Sequence, residues 1–82
     1  MSFEERPVGH GVIYVIEWRV IEEFPKYEIN QDGEIRNART EKLKSTHDSP
    51  RNHRFRFMEQ GERIDIPVRN LRNRTFPELD PW

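Results

Sequence analysis

An Asp32-Gly33 turn set between two short alternating runs constrains this chain more than any other feature. Asn30-Gln31-Asp32-Gly33 reads as a hairpin turn, because glycine reaches positive φ without a Cβ clash. Lys26 to Asn30 is then the outgoing strand and Glu34 to Asn37 the return. The pattern recurs further on. Arg54-Phe55-Arg56-Phe57-Met58 alternates, with the phenylalanines inward and the arginines outward. Glu59 to Glu62, containing Gly61, is a second hairpin turn, and Arg63-Ile64-Asp65-Ile66 alternates again. Two antiparallel hairpins in one short chain point to a sheet.

Gly11 opens a β-prone run, Val12 to Ile16, that is apolar on both faces. Such a strand is covered on both sides, or it pairs with another chain. Trp18 and Val20 continue the Ile16 face. Residues 21–26 break the pattern, and Pro25 cannot donate to a ladder. Pro67 suits the first turn of a helix. Val68, Leu71 and Thr75 then form one helical stripe, and Pro77 ends the helix by disfavouring helical geometry at Phe76. The expected fold is α+β: a small antiparallel sheet of about four or five strands with one short C-terminal helix. It occupies residues 11–76. Residues 1–10, polar with Pro7 and Gly9, read as a flexible N-terminal arm, and residues 77–82 as a C-terminal tail.

The chain has 82 residues, enough for one domain with a thin stability margin. Apolar residues make up 33% and charged residues 35%, so the core must be small and aromatic-rich. Its expected members are Trp18, Phe24, Tyr27, Phe55, Phe57 and Phe76, with Ile29, Ile35, Leu43, Ile64, Ile66, Val68 and Leu71. The absence of cysteine excludes disulfides, thiol catalysis and thiolate metal sites. No run approaches the roughly 18 apolar residues of a membrane span. The first residues lack the basic-then-apolar order of a signal peptide. Cytoplasm is the expected compartment, and no membrane contact is expected.

A net charge of −1 conceals an asymmetry. Residues 1–35 hold three cations against eight acids, for −5, and residues 36–74 hold eleven cations against five acids, for +6. Local field steers partners more than the total does. The basic segment supplies the candidate binding residues Arg36, Arg39, Lys42, Lys44, Arg54, Arg56 and Arg63, with support from Arg69 and Arg72. A two-stranded ribbon fits a major groove, and planar guanidinium groups bond phosphates or guanine edges in pairs. The competing reading pairs Arg54, Arg56 and Arg63 with Asp65, Glu62 and Glu59 across the hairpin. Arg69, Arg72 and Arg74 equally suit the negative end of a helix dipole.

His47, Asp48, Asn52 and His53 share a turn-rich loop, but their spacing fits no metal motif, and no metal or cofactor is expected. No nucleophile–base pair, phosphate-cradling glycine loop or close carboxylate pair stands out, so catalysis is not expected.

The order of residues 16–44 carries a further signal. Glu17-Trp18-Arg19 is followed by Phe24-Pro25-Lys26-Tyr27-Glu28-Ile29-Asn30, then Gly33-Glu34-Ile35-Arg36-Asn37, then Lys42-Leu43-Lys44. This order resembles the NUMOD domain of type four, the nuclease-associated modular DNA-binding domain found beside HNH homing endonucleases and often phage-encoded. The resemblance covers roughly residues 16 to 76 and is sharpest up to Lys44. The family's histidine near Arg69 is absent here. The resemblance implies a β-sheet that grips duplex DNA, here expected as a free-standing module without the HNH nuclease half, in a host cytoplasm if phage-encoded. The rival expectation is a small phage-type protein-binding module. It would engage a host factor, or form a homodimer through strand 12–16.

Overall fold

The computed structural model describes residues 2–43, 54–59 and 61–82. Lys44 and the loop bearing His47, Asp48, Asn52 and His53 lie outside the described residues. Six strands and one helix follow one another: β1 (Ser2–Gly9), β2 (Val12–Ile21), β3 (Phe24–Asn30), β4 (Ile35–Asn37), β5 (Arg54–Glu59), β6 (Glu62–Pro67) and α1 (Val68–Thr75). The fold is α+β, as the alternation and turn signals predict. β1 to β4 form one antiparallel sheet in sequence order, and β5 and β6 form a separate two-stranded ribbon.

The main core lies between the ribbon, the helix and one face of the sheet. Ile21, Phe24, Ile29 and Ile35 from the sheet meet Phe55 and Phe57 from β5 and Val68, Leu71 and Phe76 from the helical end. Phe24 and Phe57 stack with ring centroids 3.9 Å apart, and the Tyr27 ring packs edge-on against Phe55 and Phe57. These contacts fix the ribbon on the sheet. Leu43 departs from the expected core. It makes only an isolated bridge to Arg36 and remains 48% exposed, because it lines the outer edge of β4 instead of the covered face.

Trp18 belongs to the opposite face. Its partner is Asn30 and its diagonal neighbours are Glu28 and Arg36, so it points away from Ile29 and Ile35. It is nonetheless fully buried. The Arg36 guanidinium carbon sits 4.1 Å from its ring centroid, and its indole Nε1 donates to Glu4 Oε1 at 3.0 Å. A charged lid, in place of apolar packing, covers this side of the sheet.

That lid explains why the first residues are a strand and not a flexible arm. Glu4 and Arg6 of β1 face Ile16 and Tyr14 of β2. Arg6 donates to Glu4 at 2.9 Å and to Glu34 at 2.8 Å, tying β1 to the far hairpin. The Arg6 bond and then the Trp18 indole hold the Glu4 carboxyl below its ordinary range. The chain reverses between β1 and β2 at His10 and Gly11, whose φ values of 51° and 77° match the two positive central positions of a type I′ turn. β2 also runs further than expected, to Ile21, with a bulge between Val20 and Ile21 that brings Phe24 opposite Ile21.

The C-terminal tail is docked as well. Arg72 Nη1 donates to the Asp80 carbonyl at 2.6 Å, the Trp82 amide donates to Asn73 Oδ1 at 3.0 Å, and Arg72 stacks beneath the Trp82 ring. Arg19 joins the tail to the sheet by donating to the Thr75 carbonyl and to both oxygens of Glu78. The Arg19 guanidinium holds the Glu78 carboxyl below its ordinary value near 4.5. A depressed folded-state pKa contributes stability that is complete above the unfolded value and lost as pH falls through the folded one. Thermal melts from neutral pH down to below 4.5 should therefore show a smaller acid-induced loss in E78Q than in the parent. Parallel losses in the two proteins would contradict the tie.

Candidate nucleic-acid interface

The ribbon presents the strongest cluster of the expected cations. In the β5–β6 register Arg54 faces Pro67, Arg56 faces Asp65, and Met58 faces Arg63. Phe55 and Phe57 are buried on the inner side, so the intervening Arg54 and Arg56 emerge outward, and Arg63 shares their face across the ladder. All three arginines are exposed. Of the pairing expected across this hairpin, the bond from Arg56 Nε to Asp65 Oδ1 is present at 3.2 Å. Arg54 and Arg63 have no carboxylate partner among the described residues. An exposed pair such as Arg56–Asp65 is worth about 0–1 kcal/mol, so Arg56 is readily redirected to another anion.

A second group lies at the β3–β4 end. Lys26 and Arg39 line a groove of about 500 Å³ together with Pro25, Asn37, Ala38 and Thr40. The groove wall is built locally: Asn37 Oδ1 accepts from the amides of Arg39 and Thr40, and the Ala38 amide donates to the Lys26 carbonyl. Lys42 is exposed just beyond, and Arg69 is exposed on α1. Lys26, Arg39, Lys42 and Arg69 likewise have no carboxylate partner among the described residues. Lys26 is not among the expected binding residues. It alternates with half-buried Tyr27, whose ring packs on the core, and so lies on the other face of β3, near its outer end.

Two of the expected binding residues have another occupation. Arg36 is 7% exposed; it donates from Nε to Glu28 Oε1 at 2.9 Å and from Nη2 to Ser2 Oγ at 3.0 Å, over the Trp18 ring. Arg72, also 7% exposed, bonds the Gln31 and Asp80 carbonyls. Both are held within the fold and are removed from the candidate surface. Sequence reasoning places arginine outside by default, because an isolated buried cation is costly. Here each guanidinium has a ring to lie on and acceptors to bond.

The cations therefore divide by function. Arg6, Arg19, Arg36 and Arg74 are paired with carboxylates of the sheet, the turn or the tail, and Arg72 with carbonyls. Arg54, Arg56 and Arg63 share one outward ribbon face. No family model matches the chain, and neither the curated proteins nor the solved structures contain a match.

Proposed function

We propose that this chain is a non-catalytic module that grips duplex DNA through the outer face of the β5–β6 ribbon. The observation that carries the reading is the placement of Arg54, Arg56 and Arg63 on that face, with Asp65 the one acid on it among the described residues. The sequence resemblance to the type-four NUMOD domain supports the same ligand. A two-stranded ribbon matches the width of a major groove, where bidentate arginine reads guanine edges. Lys26 and Arg39 supply a second cationic contact, for phosphate, at the groove beside β3. Affinity on this reading is dominated by phosphate neutralisation and falls steeply with salt.

The double substitution R54A/R63A should weaken binding similarly on unrelated duplexes. It should also lower the slope of log affinity against log salt by about 2, roughly one for each phosphate left without its arginine. Both side chains are exposed, so the fold should persist, and Trp18 fluorescence reports whether it does. An unchanged slope in a folded variant would contradict the assignment of this face.

A further inference from the structure

The β1–β2 hairpin extends past the rest of its sheet. β1 accompanies β2 from Val12 to Trp18, whereas β3 pairs with β2 only from Trp18 onward. Between Val12 and Val15 the hairpin is thus a two-stranded ribbon with apolar side chains on both faces. Ile13 and Val15 on one face are 56% and 49% exposed, and Val12 and Tyr14 on the other are exposed too. An isolated two-stranded ribbon is marginal in water, and a third strand stabilises it.

The direction of its free backbone groups follows from Gln31. Gln31 Nε2 donates to the Val15 carbonyl at 2.9 Å, and the Glu17 amide donates to Gln31 Oε1 at 2.9 Å. The amide and carbonyl of one residue point to the same edge of an antiparallel strand, and successive residues alternate. Val15 and Glu17 therefore face the side away from β1, and so does Ile13. The same alternation turns the nitrogen of Pro7, opposite Ile13, toward the outer edge of β1. That outer edge carries Glu5 and a proline without a donor, two devices that blunt strand addition. The β2 edge carries neither.

We infer that the open β2 edge pairs with a second copy of this chain, antiparallel, about a two-fold axis at Tyr14. The sequence Val12-Ile13-Tyr14-Val15-Ile16 has the same character read in either direction. Centring the pair on Tyr14 sets Ile13 opposite Val15 of the copy and Val12 opposite Ile16, with no charge in the seam. It also makes Ile13 and Val15 the hydrogen-bonded pair: the Val15 amide of each copy donates to the Ile13 carbonyl of the other, and the Ile13 amide takes the Val15 carbonyl in place of Gln31 Nε2. A two-fold pairing centred on Glu4, Glu5 or Arg6 of β1 instead sets that charge against its own copy, and one centred on Pro7 finds no amide to donate there. Gln31, turned off the Val15 carbonyl in the pair, keeps the Glu17 amide and ends the seam there. The result is a four-stranded sheet formed by two hairpins.

Light scattering after size exclusion tests the register as well as the mass. The parent chain should be a dimer at high protein concentration. I13K/V15K, which sets cation against cation twice, should be a monomer. I13K/V15E, which sets opposite charges against each other twice, should be a dimer again. Tryptophan fluorescence checks that each variant folds; all the altered side chains are exposed in the single chain. A monomeric parent, with the edge left to some other strand, overturns the proposal. So does a dimeric I13K/V15K, which would place the interface elsewhere, or a monomeric folded I13K/V15E. Duplex titration of the monomeric variant keeps this result separate from the DNA reading.

Discussion

Replacing Phe57 with alanine is expected to cost about 3–5 kcal/mol, the range for emptying a buried aromatic site. Phe57 is 1% exposed and contacts three other rings: stacked on Phe24, edge-on to Tyr27 and tilted against Phe55. Native domains are stable by about 5–15 kcal/mol, and a chain this short belongs near the lower end. The substitution therefore removes most of the stability margin. It also releases the ribbon from the sheet, so the surface that carries Arg54, Arg56 and Arg63 disappears with it. Denaturant titration measures the loss. V20A, at an exposed position, serves as the comparison and should stay within about 0.5 kcal/mol of the parent. A loss below about 1 kcal/mol for F57A would mean that the ribbon does not pack on the sheet through these rings.

Arg36 provides the second large effect. R36M should destabilise by about 3–5 kcal/mol, because it leaves the buried Glu28 carboxylate without its cation. The Trp18 ring is uncovered in the same step. R36M/E28L removes both charges and should recover most of the loss, since an apolar pair in place of a buried ion pair is often neutral. If the double substitution is no better than the single one, the cost arises from something other than the orphaned carboxylate. In the same experiment the salt slope of DNA binding, measured on the folded fraction, should match the parent. A reduced slope would return Arg36 to the binding surface.

The parts of this fold legible in the sequence are those with a local chemical cause. Gly33 and Gly61 mark turns because their φ values of 83° and 82° exclude most other residues. Phe55 and Phe57 alternate with arginines and take the inner side of their strand. Pro67, Val68 and Leu71 set the start and buried stripe of the helix. β1 is not legible, because its inward residues are Glu4 and Arg6. A strand whose covered face is charged shows no hydrophobic period, and Pro7 argues further against it. The lid on Trp18 depends on Glu4, Glu28, Glu34 and Arg36, contributed by three separate stretches of chain. No local pattern announces such an arrangement. The candidate site divides on the same line. Arg54, Arg56 and Arg63 follow from strand alternation alone. Arg36 and Arg72 have the same composition signal and the opposite fate, decided by long-range contacts to Glu28, Ser2, Gln31 and Asp80.

An outward arginine ribbon should make this chain a duplex-binding protein. Fluorescence anisotropy of a labelled generic duplex, titrated with the full chain at a low and a high salt concentration, decides whether it does. Saturable binding is expected at low salt, weakening sharply at high salt with a slope set by the number of phosphates neutralised. Absence of binding at low salt by a folded chain would contradict the assignment.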